Sequence, residues 1–180
     1  MLRTCVVALL LASFILFTAC TGDIDKQLIE AAKKGNSDLV REFLDAGANV
    51  NAHDETGLTA LMVIKKGDTT VVRTLLDAGA DVHSDRYSIT TLMEIAAKGD
   101  TTVVRMFLDV GADVHAKDRD NRTALIFAAD KGHVDVVRML MGEGADVNVS
   151  ATSGWTALMF AAYGGDTSFV RMLLDGGANL

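Results

Sequence analysis

From Ile24 onward, apolar residues recur in short blocks at helical spacing, and the blocks come in pairs. In the stretch Thr123 to Asn148, TALIFAADKGHVDVVRMLMGEGADVN, the first block brings Leu125, Ala128 and Ala129 to one side. The second block does the same with Val136, Val137, Leu140 and Met141. A glycine closes each block, Gly132 the first and Gly144 the second. Glycine accepts a positive φ without steric penalty, so each marks a helix C-terminus. The pattern predicts a helix, a tight turn and a second helix.

The same unit returns along the chain. Thr156 to Asn179 reads TALMFAAYGGDTSFVRMLLDGGAN, Thr90 to His115 reads TTLMEIAAKGDTTVVRMFLDVGADVH, Thr59 to His83 is a shorter copy, and Leu28 to Asn51 keeps the second half. Inner glycines (Gly35, Gly67, Gly99, Gly132, Gly165) lie twelve residues before outer ones (Gly47, Gly79, Gly111, Gly144, Gly177) in all five units. Repetition at this period predicts stacked supersecondary units that bury a shared core. The pairs Ala31-Ala32, Ala96-Ala97, Ala128-Ala129 and Ala161-Ala162 are small enough for the two helices of a unit to approach closely.

Two copies are irregular. Thr59 precedes Gly67 by eight residues, where Thr90, Thr123 and Thr156 precede their glycines by nine. Unit two has therefore lost a residue from its first helix, and carries Val63-Ile64-Lys65 in place of an alanine pair. A deletion turns every later residue of a helix by about 100°, at 3.6 residues per turn, so unit two is expected to be the weakest helix pair. Unit three has lost a residue from its connecting loop, Asp81 to Ile89.

These units resemble ankyrin repeats, with TALM standing where that family usually writes TPLH. The chain contains no proline, and the family's helix-start proline is replaced by Ala60, Thr91, Ala124 and Ala157. Alanine is a good helix former at that position, so the departure bears on local stability and not on the fold. The fold class expected is an all-α ankyrin-repeat solenoid of about five helix-turn-helix units over residues 24–180.

The resemblance implies a concave surface of loop tips and first-helix faces that binds other proteins. Matching positions here are Glu55, Thr56, Leu58, Arg86, Tyr87, Ile89, Arg119, Asp120, Arg122, Thr152, Ser153, Trp155 and Tyr163. They differ from unit to unit where the repeat-keeping positions agree, and Trp, Tyr and Arg are the types enriched among binding hot spots. The competing reading is loop decoration, with Trp155 packing under its own turn.

The first nineteen residues fall outside the repeats. Arg3 precedes an apolar run, Cys5 to Phe17, too short to cross a bilayer but fitting a signal-peptide core. Phe17-Thr18-Ala19-Cys20 resembles the lipobox of bacterial lipoproteins, and this likeness implies lipidation of Cys20. Thr21 after the cysteine, by the same likeness, favours the outer membrane, facing the periplasm. An uncleaved anchor and plain secretion are the other readings of this segment. Residues 20–23 form a tether of about 14 Å at full extension. Cys5 would leave with the leader, so the mature chain relies on no internal disulfide. Unit one carries Lys26, Gln27, Glu30, Lys33 and Lys34 on its expected outer side, as a terminal capping unit requires. Unit five has no such polar set: Met159, Phe160, Phe169, Val170, Met172 and Leu173 are as apolar as any internal copy. Its far side is expected to be covered by a partner or a second copy, so oligomerisation through the C-terminal repeat is open.

Composition adds exclusions. Seventeen basic against 24 acidic residues give a net charge of −7, an acidic surface that repels phosphate backbones and makes nucleic acid a poor partner. Arg41, Arg73, Arg105 and Arg171 each sit four residues before an aspartate, a spacing expected to form weak surface pairs on a solvated helix face. Asp118-Arg119-Asp120-Asn121 opens like a calcium loop, but its sixth and twelfth positions are Thr123 and Ala129 instead of Gly and Glu. His53, His83, His115 and His133 show no zinc-ligand spacing. With no phosphate loop, GxSxG or HExxH, nothing points to catalysis, a metal or a cofactor. The function expected is a non-catalytic protein-binding scaffold or adaptor tethered to the bacterial envelope. Two other classes stay open: an inhibitor or immunity protein masking a periplasmic toxin or enzyme, and a secreted effector acting on host proteins.

Overall fold

The computed structural model describes residues 24–86 and 88–180. Residues 1–23, on which the expected leader, Cys20 lipidation and tether fall, and Tyr87 lie outside the described residues. Nine helices are present among them: α1 Ile24–Lys34, α2 Ser37–Asp45, α3 Thr69–Asp77, α4 Thr91–Lys98, α5 Thr101–Asp109, α6 Ala124–Asp130, α7 Val134–Gly142, α8 Ala157–Tyr163 and α9 Thr167–Asp175. A two-residue strand pair, β1 Asp85–Arg86 and β2 Ile89–Thr90, precedes α4. The chain divides into two compact parts with the boundary between Ala80 and Asp81.

Every second helix ends the same way. In unit one, Gly47 N–H donates to Leu44 O at 3.0 Å and Ala48 N–H to Phe43 O at 2.9 Å. These are the two bonds of a Schellman closure, which satisfies carbonyls the helix would otherwise leave unpaired. Ala80, Ala112, Ala145 and Ala178 repeat the longer bond to Leu75, Phe107, Leu140 and Leu173. Such a closure needs a left-handed residue, and the ten inner and outer glycines all have φ between 71° and 93°.

Helix starts are held by short polar side chains. Asn36 caps α2, Asp100 caps α5 and Asp166 caps α9, each carboxylate or amide oxygen accepting backbone N–H groups at 2.9–3.1 Å. Thr90 and Thr156 cap α4 and α8 through their hydroxyls, both at 3.3 Å. Thr59 and Thr123 hold the same place in their units, yet their hydroxyls are buried without a partner.

Unit two departs from the expected helix pair. Its first helix is absent: residues 60–62 form only a turn, with Met62 N–H donating to Thr59 O at 3.1 Å. Ala60, Leu61, Met62 and Ile64 are nevertheless buried, so the segment keeps its contribution to the core while losing the helical backbone. In the part up to Ala80 these residues join Leu28, Ile29, Ala31 and Ala32 of α1 with Val71, Val72 and Leu75 of α3 in the buried core. From Asp81 onward the core is built from α4, α6 and α8 on one layer and Phe107, Leu140, Phe169 and Leu173 of the second helices on the other. The first alanine is buried in each of the four units that carry the pair, but Ala97 is only half-buried and Ala162 is exposed. One small residue per unit therefore suffices for close approach.

Candidate binding surface

Each connecting loop folds on itself before its helix. Asp54 N–H donates to Leu58 O at 2.9 Å, Asp118 N–H to Arg122 O at 3.0 Å, and Ala151 N–H to Trp155 O at 2.9 Å. One aspartate organises each of two loops. The Asp54 Oδ1 accepts from Thr56 N–H and Leu58 N–H at 2.8 and 3.0 Å, and the Asp118 Oδ1 from Asp120 N–H and Arg122 N–H at 2.9 and 2.8 Å. Such side-chain turns mimic a backbone turn and preset the loop.

Two residues before each helix-start threonine, all four loops need a left-handed backbone: Gly57 (φ 82°), Ser88 (φ 69°), Asn121 (φ 59°) and Gly154 (φ 82°). Unit three makes this turn one residue short, as the β1–β2 hairpin, with Arg86 opposite Ile89 in the register. Counting back from the threonine aligns the loops. Four residues before stand Glu55, Arg86, Arg119 and Thr152; one residue before stand Leu58, Ile89, Arg122 and Trp155. One and two residues after it, by contrast, Ala60-Leu61, Thr91-Leu92, Ala124-Leu125 and Ala157-Leu158 are all buried.

The expected binding positions fall into different environments. Glu55 is exposed and 2.7 Å from Lys26 Nζ, whose hydrogen bond and charge hold its carboxyl below the usual range. Leu58 and Ile89 are half-buried, while Arg119, Asp120, Thr152 and Ser153 are exposed. Arg122 is tied down. Its guanidinium donates to Asp118 Oδ2 at 2.8 Å, lies 3.7 Å from Asp120, and covers the Phe127 ring at 4.4 Å. The loops of units four and five are also joined to each other, with Thr152 N–H donating to Asp120 O at 2.8 Å and Asn121 Nδ2 to Ser150 O at 2.7 Å.

Trp155 is half-buried, its ring 4.9 Å from Phe160 and 5.7 Å from Tyr163, the latter edge-on at 78°. Tyr163 itself is 85% exposed. The three rings form one wall of a cleft of about 720 Å³ whose other walls include Asp130, Lys131, Asp166 and Phe169. Sequence reasoning did not place Phe160, Phe169 or the two aspartates at this site. The signal was present for Phe160, which stands one period after Phe127.

One sequence expectation changes. The arginine–aspartate pairs along the second helices do not form among the described residues; Arg105 instead pairs with Glu143 of the next unit. An arginine that precedes its acid is the weaker orientation against the helix dipole, and solvent takes the rest. Of the apolar set in unit five, Phe169 and Leu173 are buried, Phe160, Val170 and Met172 half-buried, and Met159 is 50% exposed.

Among known proteins, the family model described as Ankyrin repeats (3 copies) matches residues 28–118 and again residues 92–180. Among curated proteins none matches the chain.

Proposed function

The chain belongs to the ankyrin-repeat family, and on that premise we propose that it is a non-catalytic scaffold or adaptor that binds a protein partner through its loop tips and first-helix faces, tethered to the bacterial envelope by a lipid on Cys20. One observation carries the binding half of this reading. At equivalent places in successive units, the side chains that change are exposed or half-buried (Glu55, Arg119, Thr152; Leu58, Ile89, Arg122, Trp155), whereas those that repeat (Leu61, Leu92, Leu125, Leu158) are buried. Packing between units explains the second set; the first set varies in charge, size and shape at positions that remain open to solvent, although Arg122 and Trp155 also rest on their own units. The tethering half rests on the leader of residues 1–19 and on Cys20 at its end. A doubly or triply acylated cysteine meets the two-signal requirement for stable anchoring, and the lipobox likeness favours the periplasmic side of the outer membrane.

The test is capture from a detergent-solubilised membrane fraction with the full chain as bait. A partner held by the wild type should be lost with Arg119→Ala combined with Trp155→Ala, the helical circular dichroism unchanged. Capture that survives this pair of changes undiminished refutes the loop surface.

A further inference from the structure

Units four and five hold the same pair of positions in two chemical states. In unit four, Arg122 and Phe127 form a cation–π contact, guanidinium carbon 4.4 Å from the ring centroid. One period later the residues are Trp155 and Phe160, so the guanidinium has become an indole and its ring partner remains. Tyr163 adds a third ring at 5.7 Å. No cation stands over any of these three rings among the described residues, and the cleft they border holds space of about 720 Å³. Its charged lining is two carboxylates and one ammonium. Lys131 Nζ is 2.8 Å from Asp130 Oδ2 and so answers that acid. Asp166 caps α9 through its Oδ1, and its carboxylate lines the same cleft.

We propose that the Trp155–Phe160–Tyr163 cleft receives an arginine side chain from a segment of the protein partner, which rests on the protein-binding reading above. Aromatic faces attract a cation through the ring quadrupole, most strongly for an indole, and the net negative lining adds to that attraction. A planar guanidinium stacks on a ring, as Arg122 does over Phe127, whereas an anionic side chain would meet both the π faces and the Asp166 carboxylate. Apolar area around the rings accommodates the aliphatic stem of the arginine and its neighbours in the segment.

Trp155 is the sole tryptophan of the chain, so indole fluorescence, excited selectively over tyrosine, reports this cleft and no other. The probe is the blocked tripeptide Ac-Leu-Arg-Leu-amide, with its citrulline and glutamate counterparts, titrated into the full chain in detergent. Citrulline keeps the shape and hydrogen-bonding groups and removes the charge. Saturable change with the arginine peptide is expected, with binding roughly tenfold weaker for citrulline and weaker still for glutamate. Asp166→Asn keeps the helix cap, since asparagine caps as well as aspartate, and should lower affinity for the arginine peptide alone. Equal titrations with the arginine and citrulline peptides overturn the proposal, as does the absence of a saturable change with either. That outcome, combined with partner capture still lost in the loop variants, removes the arginine site and leaves the binding surface standing. Capture that persists in the loop variants instead removes the reading beneath it.

Discussion

Gly99 and Gly132 are one period apart and share a φ of 71°, yet they should respond differently to the same substitution. A Cβ on Gly132 would meet nothing within 4 Å, so Gly132→Ala loses only the left-handed preference, about 1–2 kcal/mol. A Cβ on Gly99 would collide with His133, lying 2.5 Å from Cε1 and 2.6 Å from Cγ and touching Nδ1 as well. The imidazole is not a loose side-chain end: its Nε2 donates to Ala97 O at 3.0 Å, at the C-terminus of α4. To relieve the collision the ring must leave that carbonyl. The lost bond costs about 0.5–1.5 kcal/mol and the crowding about 1–3 kcal/mol. Gly99→Ala should therefore exceed Gly132→Ala by at least about 1.5 kcal/mol in urea unfolding followed by circular dichroism. Adding His133→Ala to Gly99→Ala should restore part of the difference, a non-additive cycle of about 1 kcal/mol or more. Losses for the two glycines equal within about 0.5 kcal/mol, or an additive double mutant, would refute the steric argument.

Four further outcomes are expected. Ser88→Gly, which places glycine where Gly57 and Gly154 already stand in other loops, should raise stability by about 0.5–1 kcal/mol; an unfolding midpoint that falls speaks against it. Amides of residues 61–66 should exchange hydrogen faster than those of residues 92–98, because unit two has a turn where unit three has a helix. Cys20→Ala should abolish labelling by a clickable fatty acid, and labelling that persists would end the lipid-anchor proposal. Trp155→Ala should weaken partner capture by about 1 kcal/mol or more without loss of helix content, and a fall in helix content would assign the indole to packing instead.

The architecture was legible because its punctuation is local. The paired glycines twelve residues apart each take a positive φ, and nine of the ten fall within two residues of a helix C-terminus, Gly67 being the exception because its helix is absent. The deletion before Gly67 marked unit two as the weakest pair but did not foretell that its first helix would be missing altogether; a helix that loses a residue rotates its buried face, and here the backbone gives up the helix to keep the face. The candidate surface was less legible. Arg122 and Trp155 occupy the same position and looked alike as anchors, but only the folded chain reveals that Asp118 and Phe127 already hold the arginine. Nor could spacing foresee the cleft, which joins the end of α6 to a loop and a helix face about thirty residues away. The arginine–aspartate spacing was correct as geometry and failed as energy, because exposed pairs compete with water.

The repeated Schellman closures have a consequence for how such a chain can change length. Each second helix is terminated by bonds that begin and end within six residues, Phe107 to Ala112 in one unit and Leu140 to Ala145 in the next. Excising residues 112–144 would join Gly111 to Ala145 and rebuild the same closure from the same residue types, with Asp146 and Val147 taking the places of Asp113 and Val114. No helix is cut, and no cap loses its acceptor. A gene encoding this chain can thus gain or shed a period at these glycines with every closure rebuilt, whereas a residue lost within a first helix coincides with loss of that helix between Thr59 and Gly67, and one lost from the loop before Thr90 does not. Length variation in whole periods is neutral to the backbone; variation in single residues is not.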